Sequence, residues 1–173
     1  MSAYGTDREW SDQFLDTIRH IVGPHLLVPS PFEIDAKEAA DLIVMKARDM
    51  TIAARVRRPG FADRYPYEFT IRSRRDSGAK TEMAKLMEGW GDWMLYGHAG
   101  SSYGDLSRWW LIDLHQWRER LLRAGYSGGW RNFAIEKSNG DGTHFIAFDL
   151  RRFTPSILVA GSHDVPDSYR MAT

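Results

Sequence analysis

The sequence has no cysteine and no long hydrophobic run, and these two absences exclude several classes of protein. Without cysteine there is no disulfide framework, no thiolate zinc site and no thiol nucleophile, so we expect a reducing, cytoplasmic location. No apolar stretch exceeds about five residues, which is too short for a transmembrane helix, and no membrane partner is expected. Acidic residues stand near the N-terminus where a secretory signal peptide has its apolar segment.

Several short motifs are also missing, and their absence narrows the chemistry. The patterns GxxxxGK[ST] and GxGxxG do not occur, so neither P-loop nor Rossmann nucleotide binding is indicated. The GxSxG pattern of many serine hydrolases is absent as well. The six histidines lack the close paired spacings of a zinc site, so zinc is not expected.

What remains is the composition of an ordinary globular protein. The chain has 173 residues, of which 43% are hydrophobic and 27% charged. This length suits a single domain, residues 1–173, that buries a core of its own. We expect a loose C-terminal tail over about residues 162–173. Trp90, Trp93, Trp109 and Trp110 lie in patterned apolar stretches and are interpreted as core residues.

The balance of 23 basic and 23 acidic residues conceals a strongly polarised chain. Residues 1–45 contain 3 basic and 8 acidic residues, whereas residues 46–85 contain 11 basic and 5 acidic residues. Residues 86–173 are nearly neutral, with 9 basic and 10 acidic residues. The basic middle segment is rich in arginine, which suits bidentate contacts with phosphate. The alternative is a solvated face whose arginines pair with nearby carboxylates.

Hydrophobic periodicity predicts a mixed order of helices and strands. The predicted elements are a helix over 7–22, a meander of three strands over 41–46, 50–58 and 67–74, a helix over 80–97, a strand over 109–114, a helix over 115–124, and a hairpin that pairs 130–136 with 144–150. If the second and third strands pair, their alternation places Arg55 and Arg57 on a common face with Glu68, Arg72 and Arg74.

The run over 41–46, followed by a turn and the run over 51–57, resembles the core hairpin of the PD-(D/E)xK nuclease superfamily. That superfamily includes restriction endonucleases and archaeal Holliday-junction resolvases. The resemblance covers roughly residues 7–125 and implies an α/β fold, in which helices flank a mixed central sheet with the restriction-endonuclease-like core order αβββαβ. The hairpin near the C-terminus would follow that core.

Two registers of the superfamily motif are open. In the first, Asp41 matches the family's aspartate, but residues 55–57 read Arg-Val-Arg where (D/E)xK is required. In the second, Asp49 is the aspartate and Glu68 the second acid, with threonine at the lysine position and Arg72 two residues further on. We prefer the second register because it places the motif strand directly before the helix.

The resemblance implies a Mg²⁺ site, because two carboxylates on adjacent strands would supply oxygen ligands to the ion. The metal would activate water and offset charge on the scissile phosphate. The predicted metal ligands are Asp49 and Glu68. The predicted catalytic residues are Asp49, Glu68, Arg72, Asp41, Glu82 and Lys85. The predicted nucleic-acid contacts are Arg55, Arg57, Arg58, Arg74, Arg75 and Lys80.

The leading hypothesis is therefore a Mg²⁺-dependent nuclease that binds DNA or RNA, of a size that suits a phage or mobile-element protein. The second hypothesis keeps the nuclease fold without catalysis, as a module that binds nucleic acid or a nucleotide. The third is an interaction protein whose arginine face docks an acidic partner. A homodimer is also left open.

Overall fold

The computed structural model describes residues 3–29, 42–44, 50–126, 133–153 and 155–166. Within these ranges there are five α-helices and nine strands. The helices are α1 (Ala3–Asp12), α2 (Leu15–Val22), α3 (Phe61–Arg64), α4 (Glu82–Met87) and α5 (Leu114–Tyr126). The strands are β1 (Leu27–Pro29), β2 (Leu42–Val44), β3 (Ile52–Arg57), β4 (Glu68–Arg75), β5 (Trp93–Ala99), β6 (Leu106–Asp113), β7 (Ala134–Ser138), β8 (Thr143–Asp149) and β9 (Leu158–Gly161).

The strands are divided among three sheets. Strands β1 and β2 form a short antiparallel pair. A four-stranded sheet has the order β3-β5-β6-β9, in which β3 and β5 are parallel and the other neighbours antiparallel. A three-stranded antiparallel sheet has the order β4-β8-β7. The mixed α/β class is thus confirmed, but the strands do not form one central sheet.

The larger core lies between the four-stranded and three-stranded sheets. Phe69 of β4 meets Tyr96 of β5 edge to face, with their ring centroids 6.3 Å apart. In the same core, the ring of Trp117 on α5 meets the ring of Phe148 on β8, with their centroids 5.4 Å apart. A smaller cluster covers the other face of β5 and β6, where α2 packs. Every residue of β5 is buried because both faces of this strand are covered.

The predicted meander is wrong. Strand β3 pairs in parallel with β5, from Ile52 opposite Trp93 to Arg57 opposite His98. Strand β4 pairs with β8 in the other sheet. The pairing that was expected to place the arginines of β3 and the acid of β4 on one sheet face is therefore absent from the described residues.

The predicted helix over 80–97 ends ten residues early. Helix α4 stops at Met87, and Gly89 and Gly91 follow with φ of 97° and 80°. These left-handed conformations favour glycine and end the helix. Met94 and Leu95, which matched a helical stripe, lie instead on opposite faces of the doubly buried strand β5.

Three other predicted elements differ in detail. The helix expected over 7–22 is interrupted after Asp12, so that α1 and α2 are separate. Strands β7 and β8 pair antiparallel across residues 139–142. Because β8 also pairs with β4, and β9 comes later in the chain, they are not a separate hairpin that ends the fold. At the start of the expected tail, Ser162 Oγ accepts a hydrogen bond of 2.9 Å from Trp109 N. Residues 167–173 lie outside the described ranges.

None of the described helices combines the length and apolar character needed to cross a membrane.

Candidate nucleic-acid interface

A groove of about 940 Å³ runs along the outer edge of β3. It lies between that strand and a wall formed by β4 and α4. Its walls come from β3, from the C-terminal part of β4, and from α4 with the residues on either side of it. Seven basic residues line the groove, and Glu82 is the one acid among the described lining residues. The basic residues are Arg55, Arg57, Arg58, Arg72, Arg75, Lys80 and Lys85.

Strand β3 exposes an edge to the groove. Among the described residues it pairs only with β5, and consecutive residues 51–58 all line the groove. The start of the strand is held by Asp92, whose Oδ2 accepts a hydrogen bond of 2.8 Å from Thr51 N. That bond, together with the contact of 3.0 Å between Asp92 Oδ1 and His115 Nε2, lowers the pKa of Asp92. Arginines on an edge strand also discourage edge-to-edge pairing with another sheet.

Glu82 connects the two walls of the groove. It is the first residue of α4, whose N-cap Thr81 donates its hydroxyl hydrogen to Ser73 O over 3.1 Å. The Oε2 atom of Glu82 accepts a 2.6 Å bond from Arg55 Nη1 on β3 and a 3.1 Å bond from the backbone N–H of Arg72 on β4. One carboxylate thus joins strands of two different sheets, and its charge is already offset by Arg55.

Other cations of the groove differ in their contacts: Lys80 pairs with Glu88, two arginines lie over aromatic rings, and Lys85 is exposed. The Arg57 guanidinium lies 4.4 Å from the centre of the Phe61 ring, and the Arg58 guanidinium lies 4.7 Å from that of Trp10. These cation–π contacts orient the two guanidinium groups without neutralising them. Exposed Lys85, within the described part of the chain, makes no ion pair.

Aromatic side chains accompany the cations along the groove. Trp10, Phe61 and Trp90 are among its lining residues, and Trp90 is 67% exposed. Trp90 was interpreted from the sequence as a core residue, and that prediction is wrong. Trp93 and Trp110, by contrast, are buried, at 6% and 0% exposed. Trp90 matches a helical apolar stripe in the sequence, but it stands between Gly89 and Gly91, and these two glycines were the available signal for its exposure.

The structure brings together most of the residues predicted to contact nucleic acid, with Arg74 as the exception. Arg74 lies outside the groove, where Nη2 is 2.8 Å from His144 Nε2 and 3.7 Å from Asp76 Oδ1. Of the residues predicted to be catalytic, Arg72, Glu82 and Lys85 line the groove. The groove thus combines residues of β3, β4 and α4, three elements whose association is not evident in the sequence pattern.

Glu68 lies in a different place, on the wall of a cavity of about 300 Å³ beside the groove. Its Oε2 atom is 3.0 Å from Lys137 Nζ on β7, a residue that sequence reasoning did not single out. Asp41 and Asp49 lie outside the described residues. Within the described ranges, no group of three or more histidine, aspartate or glutamate side chains is placed to hold a metal ion.

The fold and site define an α/β protein with two facing sheets and a basic, aromatic-lined groove at a strand edge. Comparison with known proteins finds no matching family model, curated protein or solved structure. The resemblance to PD-(D/E)xK nucleases therefore stays a prediction from the sequence.

Replacing Glu82 by glutamine is expected to lower the free energy of unfolding by about 1–3 kcal/mol, since hydrogen bonds to a charged group are lost or weakened at a partly buried position. Glu88→Gln is the matched control, because Glu88 pairs with Lys80 at an exposed site near the end of the same helix. The control should change stability by less than about 1 kcal/mol. Urea denaturation of both variants measures the difference, and equal effects would contradict a linking role for Glu82.

Proposed function

We propose that the protein binds single-stranded nucleic acid along the groove. The observation that carries this proposal is the charge of the groove's lining. Among the described lining residues, seven are basic and one, Glu82, is acidic and already paired with Arg55. A groove of this charge attracts a phosphate backbone because each contact releases condensed counterions from the strand. The third hypothesis, an acidic protein partner, relies on the same charges but gives no role to the aromatic rings of the groove.

The aromatic residues favour a single strand over a duplex. Trp90 presents a largely exposed indole at the groove, and unstacked bases can stack on such rings. In a duplex the bases are stacked on one another, so their faces are not available. A basic groove that tracks the backbone beside exposed aromatic rings is typical of proteins that bind single strands with little sequence preference.

Fluorescence anisotropy with labelled oligonucleotides of about 15 residues tests the proposal. In EDTA, the logarithm of the association constant should fall linearly with the logarithm of salt concentration. The expected slope is between about −2 and −5, because each single-strand phosphate contact contributes about −0.7 and seven cations line the groove among the described residues. A duplex of equal length should bind several-fold more weakly.

Two outcomes would contradict the proposal. The first is no binding of either DNA or RNA strands at about 50 mM salt, where electrostatic affinity is large. The second is binding whose affinity does not depend on salt. If polyglutamate competes as well as an oligonucleotide of equal charge, the groove recognises anionic polymers in general, which favours the acidic-protein hypothesis.

Mg²⁺-dependent hydrolysis is a second candidate, and one contact favours it. The superfamily motif lacks its lysine after Glu68, but Lys137 of β7 places an ammonium group 3.0 Å from the Glu68 carboxylate. This lysine would take the charge-stabilising role that the motif lysine has in the family. The same oligonucleotides should then be cut in Mg²⁺, and Glu68→Ala should abolish cleavage while leaving binding in EDTA. Strands that stay uncut in every divalent metal would contradict the hydrolysis hypothesis and leave the binding proposal unaffected.

A further inference from the structure

The cavity beside the groove contains a histidine whose polar atoms are unused. His98 of β5 is 1% exposed, and neither ring nitrogen has a hydrogen-bond partner among the described residues. Burial, with the positive charges of Arg57 and Arg108 nearby, lowers the pKa of His98 to about 4. The ring is therefore neutral at pH 7, with one nitrogen as donor and the other as acceptor. A buried polar group left without a partner costs about 1–3 kcal/mol, so its presence needs a reason.

The other polar groups that line the cavity are mostly paired. Tyr96 Oη lies 3.1 Å from Thr70 Oγ1, and Glu68 is paired with Lys137. Asn139, at the exposed turn between β7 and β8, adds an amide to the lining. A ligand in this cavity therefore lies beside His98, whose ring keeps an unused donor and an unused acceptor, and beside an amide that can serve as either.

Aromatic rings form the apolar part of the lining. Phe61, Tyr65 and Phe145 contribute to it, and the rings of Phe61 and Tyr65 are stacked with their centres 6.3 Å apart. The volume of about 300 Å³ is at the lower end of small-molecule sites. Flat aromatic walls with a few hydrogen-bonding groups match a planar heterocycle that carries donors and acceptors on its edge, such as a nucleobase.

The cavity and the groove share a wall. Arg57 and Phe61 line both spaces, and the guanidinium of Arg57 lies over the Phe61 ring. A nucleotide whose base occupies the cavity would thus keep its phosphate beside Arg57, in line with the backbone in the groove. This continuity argues for a base that belongs to a bound strand rather than an unrelated metabolite.

We propose that this cavity binds one nucleobase of the strand whose backbone lies in the groove. His98 hydrogen-bonds the edge of the base, and Arg57 contacts the adjoining phosphate. The inference rests on the proposed nucleic-acid function and adds a base-binding site to it. The base is inserted edge first toward His98, so that a ring nitrogen of the histidine gains the partner that it lacks in the free protein.

The test combines a binding measurement with a probe placed on His98. In EDTA, the wild-type protein should bind an ordinary single strand at least tenfold more tightly than an analogue of equal length with abasic sites throughout. His98→Phe keeps an aromatic ring at this position and removes both nitrogens, so this preference should fall about fivefold or more. Independently, each of the four common nucleoside 5′-monophosphates, titrated to about 10 mM, is tested for shifts of the imidazole ¹⁵N resonances of His98. At least one should move them.

Two variants separate this inference from the proposed function. The exposed pair Arg75→Glu/Lys85→Glu should weaken strand binding but leave the nucleotide-induced shift of His98 in place, since neither residue lines the cavity. If that pair weakens binding while His98→Phe keeps the full preference over the abasic strand and no nucleotide moves the His98 resonances, the cavity proposal is overturned and the groove proposal stands. Asn139→Ala, at an exposed turn, repeats the test should His98→Phe not fold, and it should reduce the preference about threefold.

Discussion

Replacing both Arg75 and Lys85 by glutamate is expected to weaken the binding of single-stranded oligonucleotides at least about 100-fold at 50 mM salt. Arg75 ends β4 and Lys85 lies on α4, so the pair changes the wall of the groove that faces β3. Both side chains are exposed, and their substitution should leave the fold intact. Each charge reversal removes an attractive contact with a phosphate of the strand and introduces repulsion between the new carboxylate and the phosphate backbone.

The salt dependence gives this prediction a second measurement. Loss of two phosphate contacts should make the slope of log K against log salt shallower by about 1.4. Arg19→Glu/Arg123→Glu is the matched control, because it changes the net charge equally at positions that are 76% and 71% exposed and outside the groove. If the control weakens binding as much as the groove variant does, general charge rather than the groove determines affinity.

Truncating Phe148 to alanine is expected to lower the free energy of unfolding by about 3–5 kcal/mol. Phe148 of β8 is completely buried, with its ring centre 5.1 Å from that of Phe69 and 5.4 Å from that of Trp117. Phe148 therefore links β8, the central strand of the three-stranded sheet, to both β4 and α5. The shortened side chain would leave a cavity among rigid aromatic rings, which relax poorly to fill it.

Chemical denaturation monitored by tryptophan fluorescence measures this loss. Ile135→Ala is the control, since Ile135 of the neighbouring strand β7 is 62% exposed and should cost less than about 1 kcal/mol. A loss below about 1 kcal/mol for Phe148→Ala would mean that the three-stranded sheet is not packed as described.

Individual strands could be predicted from the sequence, but their partners could not. The alternation that predicted strands over 50–58 and 67–74 corresponds to β3 and β4 within two residues. This pattern depends only on residues next to one another in the chain, and it reports burial rather than pairing. The parallel partner of β3 lies about 40 residues further along, beyond α4, and was itself interpreted as part of a helix.

The error at β5 has a physical cause. Its residues are apolar on both faces, because α2 covers one side and the core between the sheets covers the other. A strand buried on both faces loses its two-residue alternation and can match a helical stripe by chance. Gly89 and Gly91 were the signal that the helix ends before this run.

The sequence by itself determined where the positive charge lies along the chain. All seven basic residues of the groove belong to the segment 46–85, whose excess of arginine and lysine is visible without any structure. Only the tertiary structure decided which of these residues face one another and which acids accompany them. Glu82 joins the groove through Arg55, whereas Glu68 lies in the neighbouring cavity with Lys137 and His98. The physical reason is that β3 and β4 belong to different sheets, and the core packing that brings those sheets together depends on residues far apart in the chain.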